Sequence, residues 1–397
     1  MAREQSTLNT VRDVSTPLDM TDERRPVVFK TMNERALSSD YMHWAKTQAG
    51  ARFNLATSGM PNFPLAELPV RIEELELTGD SGYGYPPLQQ ALAKKLGVAQ
   101  ESIVAAAGTS MANHLAMVAL VAPGDEVAIE HPTYGLLLEV ARYLGAHVNR
   151  FHRKIGPSRT GGNRFGVNVE EISEQLTSRT RLVVLTNLHN PSSALIDEST
   201  LKQIGDAVRR VGARVLVDEA YLEAAYACKP RSAFHLGEEF VVTGSLTKFY
   251  GLSGLRCGWI LAEPKLAENI WRLNDLFSAT SAHPAERLSA IALQNLDHIA
   301  ERSRSLLEAN RPLLVSFLRS RKDLEWAEQK YGTVVFPRVL HADVEKLCAL
   351  LAEKYETSVV PGKFFEMPNH IRIGVGCATE TLRAGLERLG GALEELG

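Results

Sequence analysis

Between residues 97 and 262 short apolar runs alternate with longer stretches whose apolar positions recur at helical spacing. The runs predict strands over Ser102–Ala107, Glu126–Ile129, His147–His152, Arg181–Thr186, Arg214–Val217, Phe240–Thr243 and Gly258–Ala262. Helices are expected between them at Met111–Val121, Leu136–Leu144, Val169–Leu176 and Ser199–Val211. Alternation at this spacing predicts a mostly parallel sheet with helices on both faces, a three-layer α/β/α arrangement. A helix-like stretch runs from Ser38 toward Ala49, and a long amphipathic one from Ala285 to Ser320. Beyond it, Val334–Pro337, Val344–Lys354, Thr357–Val360, Ile371–Gly374 and Thr379–Leu393 read as strand, helix, strand, strand, helix. The expected organisation is a polar arm over 1–30, a large α/β domain over 54–283, and a smaller α+β domain from 31–53 and 284–397.

Composition narrows the partners. A chain of 397 residues exceeds one compact core, which agrees with two unequal bodies. Lys and Arg number 44 against 47 Asp and Glu, a net charge of −3, which argues against a nucleic-acid or anionic-membrane surface. Small molecules and other protein chains remain. Cys228, Cys257, Cys348 and Cys377 form no C-x-x-C pair and fit a reducing compartment. Residues 1–30 lack the apolar stretch of a secretory signal, and no apolar run approaches the ~20 residues of a membrane span. A soluble, cytoplasmic protein is expected.

In an open parallel sheet, ligands bind beyond the carboxyl ends of the strands. Asn187-Leu188-His189-Asn190-Pro191 follows one predicted strand, Asp218-Glu219-Ala220-Tyr221 the next, and Gly244-Ser245-Leu246-Thr247-Lys248, then Arg256, a third. Gly108-Thr109-Ser110-Met111 lies between a predicted strand and helix, where free N–H groups favour an anion. Arg372 sits in the late apolar strand His370-Ile371-Arg372-Ile373, where an unpaired cation is costly. His131, His189 and His283 show no paired ligand spacing, so no metal site is expected.

This ordered set resembles the class I/II aminotransferase family of fold-type I, pyridoxal 5′-phosphate-dependent enzymes. Ser245-x-x-Lys248 with Arg256 eight residues on matches the family's Schiff-base and phosphate signature, and the likeness runs from Asn54 to the C-terminus. The resemblance implies that Lys248 forms an aldimine with the cofactor and then moves the α-proton. Asp218 would keep the pyridine nitrogen protonated, and Asn190 and Tyr221 would reach the ring oxygen. Ser245, Arg256 and the Thr109-Ser110-Met111 segment would hold the phosphate, and Tyr134 would stack on the ring. Arg372 and Asn190 would take the substrate's α-carboxylate beside Gly59. A cis bond before Pro191 is also implied.

Three departures from the family pattern stand out. Ser192-Ser193 follows Asn190-Pro191 where the family has Thr-Gly. The tyrosine that reaches the neighbouring subunit's phosphate is Tyr83 or Tyr85, with Tyr83 preferred. The segment 276–281 lacks the arginine that aspartate-type members use for a second carboxylate. The expected activity is transfer of an amino group between an α-amino acid and a 2-keto acid, in a homodimer with shared active sites. Thr280–Ser281 would also reach the partner. A β-elimination (C–S) lyase or related carbanion chemistry is the alternative. A non-catalytic sensor module would need a DNA-binding domain, for which residues 1–50 are too short and insufficiently basic.

Overall fold

The computed structural model describes residues 38–157 and 163–397; the arm over 1–30 and residues 31–37 lie outside the described residues. Its centre is a seven-stranded sheet. We number its strands β1 (Ile103–Ala107), β2 (Glu126–His131), β3 (His147–His152), β4 (Thr180–Thr186), β5 (Arg214–Asp218), β6 (Phe240–Ser245) and β7 (Cys257–Leu261). Their spatial order is β1-β7-β6-β5-β4-β2-β3. All seven predicted strands are present, and the pairs among β2 to β6 are parallel. β7 departs from that pattern: it runs antiparallel to both β6 and β1. The chain reaches it from β6 through a short connection with one 3₁₀ turn (Ser253–Leu255), whereas a parallel return requires a long crossover.

The strands read as continuous apolar runs because both faces are covered. Val183, Leu185, Val215 and Val217 enter one core, and Leu182, Val184, Leu216 and Val241 enter the other. Helix α1 (Asp40–Thr47) packs Tyr41 and Trp44 against Phe364 of the C-terminal part, whereas α2 (Pro86–Leu96), α3 (Gly108–Leu120), α4 (Gly135–Tyr143), α5 (Val169–Gln175), α6 (Glu198–Arg209) and α7 (Pro264–Asn274) accompany this sheet. The apolar pattern alone does not announce α2 and α7, yet both begin on proline, and α2 ends on Gly97 at φ 65°. Asn295 divides the expected long helix into α8 (His283–Gln294) and α9 (Leu296–Ser320). Its side-chain amide donates to the Ile291 carbonyl, a local bond that competes with helix continuation.

The C-terminal part adds α10 (Val344–Glu353), α11 (Thr379–Leu396) and small sheets. Ile371–Gly374 pairs antiparallel with Val334–Val335 and with Val360–Pro361. Phe53–Asn54 pairs with Thr357–Ser358, which ties the early chain to this part. No helix among the described residues is long and apolar enough to cross a membrane.

Candidate active site

Parallel strands deliver their carboxyl ends to one edge of the sheet. There β1, β4, β5 and β6 end in Gly108, Asn187, Asp218 and Ser245–Lys248, respectively. Because β7 is antiparallel, its amino end lies at the same edge, and Arg256 immediately precedes it. A cavity of about 490 Å³ opens there. Thr109, Ser110, Tyr134, Asn190, Asp218, Tyr221, Ser245, Lys248 and Arg256 all line it, nine of the residues expected from sequence. The volume falls in the usual range for a small-molecule site.

Lys248 is half-buried, its Nζ 3.2 Å from Ser58 Oγ and 5.6 Å from the centroid of the Tyr221 ring. Tyr221 donates its hydroxyl to the same Ser58 Oγ at 2.8 Å. Gly59 passes behind: a Cβ there would sit 3.4 Å from the Lys248 carbonyl, and the Met60 N–H donates to that carbonyl. Asp218 is buried at the floor. Its carboxylate accepts from Asn113 Nδ2 at 2.8 Å and from the Ala220 N–H at 2.9 Å. Asn113 is itself fixed by Thr243 Oγ1, which donates to its Oδ1 at 2.6 Å. Burial raises the Asp218 carboxyl above its ordinary range, against the lowering effect of those two donors and of Lys248.

The other end of the cavity gathers hydroxyls and a guanidinium, a cradle whose chemistry suits an anion. Thr109 Oγ1 donates to Ser245 Oγ at 2.8 Å, and the Thr247 N–H donates to Ser245 Oγ at 3.3 Å. Thr247 Oγ1 is buried with no hydrogen-bond partner. Arg256, at φ 49°, crosses so near Gly108 that a Cβ on Gly108 would come within 2.3 Å of Arg256 Nη2. A Cβ there would push the guanidinium aside, and Gly108 adopts φ 78°, a conformation that favours glycine.

Arg372 is fully buried behind the cavity wall. Its Nη1 donates to Asn190 Oδ1 at 3.0 Å, and its Nη2 to Tyr41 Oη and the Ala56 carbonyl at 3.0 and 3.1 Å. Its Nε is a buried donor without a partner. Burial alone would raise the Tyr41 phenol, but the neighbouring Arg372 and Lys248 outweigh it and hold the group below its usual range. Tyr134 meets the Tyr41 ring edge-on at 5.7 Å.

Two expected residues lie elsewhere. Tyr83 is exposed and donates to Asp275 Oδ2 at 3.2 Å. Met111 packs its side chain against the core over the sheet. Tyr85, the other candidate tyrosine, packs edge-on against His283. The cis bonds among the described residues are His131–Pro132 and Asn187–Leu188, so the expected cis bond before Pro191 is corrected. Ser193 adopts φ 60° where the family carries glycine, and its hydroxyl donates to the Val334 carbonyl at 2.8 Å. Burial holds the His189 imidazole well below its usual range, and the ring sits between Pro132 O and Ser192 Oγ. Ser58, Asn113 and Tyr41 were missed. Asn113, a polar residue within the apolar run of α3, was the one visible signal.

The donor set fits a phosphorylated pyridine aldehyde: a lysine at the centre, a buried carboxylate at one end, and an arginine with hydroxyls at the other. The comparisons agree. The family profile "Aminotransferase class I and II" matches residues 72–389. Capreomycidine synthase of Streptomyces vinaceus is 29% identical over 369 residues, covering 87% of this chain and 90% of that one. A probable aspartate/prephenate aminotransferase of Aquifex aeolicus is 26% identical, covering 79% and 82%. The crystal structure of the PLP-dependent cyclase OrfR superposes with a TM-score of 0.83 at 22% identity, covering 93% of this chain and 100% of that one. The chain belongs to the class I and II aminotransferase family. It is an enzyme of fold-type I, and its cofactor is pyridoxal 5′-phosphate.

Proposed function

We propose that the enzyme transfers an amino group between an α-amino acid and a 2-keto acid, with Lys248 as the residue that holds the cofactor and moves the substrate's α-proton. Bound pyridoxal 5′-phosphate supplies an electron sink for the carbanion left at the α-carbon. Asp218 faces the pyridine nitrogen in this reading and keeps a proton there. Its burial without a protein counter-charge in direct contact is the observation that carries the proposal, because a pyridinium is the partner it wants. Tyr221 and Asn190 serve the ring oxygen. Thr109, Ser110, Ser245 and Arg256, with the backbone at Met111, hold the phosphate. Arg372 and Asn190 receive the substrate carboxylate, the free Arg372 Nε being a donor in waiting. Tyr134 covers the ring, and Gly59 lets the chain pass close to Lys248.

Residues 54–283 form the cofactor-holding body in this reading, with 31–53 and 284–397 as its companion. We also infer a homodimer in which Tyr83, turned away from its own cavity, and Thr280–Ser281 face the partner's site. The four free thiols suit a cytoplasmic setting. Purified Lys248→Ala should lose the visible absorbance of the bound cofactor and at least ~10³-fold of its turnover. Retention of both would sink the assignment.

A second reading has one specific support, the similarity to a synthase and a cyclase. Expulsion of a β-substituent starts from the same carbanion. Release of ammonia from a β-substituted amino acid without any keto acid would establish it; strict dependence on a keto acid supports amino transfer.

A further inference from the structure

Beneath the loop that carries Asn190 lies an ion pair to which no chemistry has been assigned. Glu130, near the end of β2, and Arg153, just past β3, are fully buried, and Arg153 Nε donates to Glu130 Oε2 at 2.7 Å. Arg153 Nη1 donates to the Phe165 carbonyl at 3.4 Å, and three further bonds of the pair converge on Thr186, the last residue of β4. Glu130 Oε1 accepts from the Thr186 N–H at 2.8 Å and from its hydroxyl at 2.6 Å. Arg153 Nη2 donates to the Thr186 carbonyl at 2.8 Å. The ladder between β2 and β4 reaches only Ile129 opposite Val184, so the two side chains stand in for a strand partner that has run out. With its hydrogen committed to Glu130, Thr186 Oγ1 offers a lone pair to the Asn190 N–H at 3.1 Å. Asn190 Oδ1 then accepts from Arg372 Nη1.

We propose that the buried Glu130–Arg153 pair is a positioning device for carboxylate recognition: it fixes Thr186, and through the Thr186 hydroxyl it sets the Asn190 loop and the orientation of Arg372. The inference rests on the assignment of Asn190 and Arg372 to the substrate carboxylate. The ion pair as such adds little to stability, because apolar residues of similar volume often serve a core as well; its contribution lies in the Thr186 groups it satisfies. What the pair supplies is direction: a carboxylate and a rigid guanidinium fork aimed at three groups of one residue.

The probe is 2-methylalanine, which has the α-carboxylate and α-amine but no α-hydrogen and so binds without turnover. Its half-saturating concentration is read from the visible absorbance of the pyridoxal-phosphate-loaded enzyme. The double variant Glu130→Leu/Arg153→Met should raise that concentration by roughly ten- to a hundredfold while the cofactor is retained; its Tm should fall, because the buried Thr186 groups lose their partners. Thr186→Val, which keeps the pair and removes only the relaying hydroxyl, should raise it likewise. A folded double variant with parental affinity overturns the proposal. Should that variant fail to fold, parental affinity in Thr186→Val overturns it instead. Arg372→Leu separates the two layers: if it too leaves affinity unchanged, the carboxylate assignment fails. If it alone weakens the probe, only the role of the pair fails.

Discussion

Asn113 is the residue on which Asp218 depends, since it donates to the carboxylate and is held by Thr243. Asn113→Ala leaves a buried hydroxyl and a buried carboxylate each short of a partner, a cost of about 1–3 kcal/mol. Titration of the apoenzyme should show pyridoxal 5′-phosphate binding weakened by roughly tenfold or more. Glu219, the next residue but one along from Val217, faces away from the cavity and accepts from the Ala233 N–H at 2.7 Å. Burial pushes its carboxyl up to about 8, whereas an unfolded glutamate sits near ~4.3. A raised folded-state value favours the protonated form, so its contribution is complete below pH ~4 and is lost as pH rises through 8. Glu219→Gln should therefore raise Tm at pH 9 and leave it almost unchanged at pH 4, by thermal unfolding at both. That Asp218, Lys248 and Arg256 would meet at one cavity was legible in the sequence, because lysine, aspartate and arginine at strand ends are conspicuous. Ser58 was not, since one serine in an irregular segment 190 residues from Lys248 carries no pattern.

At the scale of elements, the reversal of β7 does what the seven strand predictions could not foretell. Apolar runs reveal that a strand exists, and direction follows from the connection. That reversal brings Gly258 against Gly108: a Cβ on Gly258 would meet the Gly108 carbonyl carbon at 2.5 Å, a contact with backbone that has no soft side chain to yield. Gly258→Ala should push the Gly108–Thr109 turn out of the anion cradle, at about 1–3 kcal/mol for overpacking. Affinity for pyridoxal 5′-phosphate should fall by roughly tenfold or more, while affinity for unphosphorylated pyridoxal changes little. Equal losses for both would place the damage elsewhere. The break at Asn295 was equally hidden, because α8 and α9 share one amphipathic rhythm and only a side-chain bond separates them.

For the whole molecule, the apolar surface is uneven. Ile72, Leu77 and Leu276 are each about four-fifths exposed, in segments that flank Tyr83 in sequence or contact, which is where the proposed homodimer would be covered. Leu77→Arg/Leu276→Arg should shift sedimentation toward a monomer and lower activity together; a fully active monomer would refute the shared site. The strands and helices of the sheet and of the C-terminal part were legible from the change in periodicity near residue 285. How the two meet was not, because it depends on bonds between segments remote in the chain. Arg372 Nη2 to the Ala56 carbonyl spans 316 residues, and Lys248 to Ser58 spans 190. Contacts this non-local form late and slowly. The cavity therefore has no intermediate edition: a chain released before residue 372 can complete its sheet and still lack the anchor proposed for a substrate carboxylate. On the proposed function, capture of an amino acid would thus be a reporter of nearly the entire polypeptide having arrived in place.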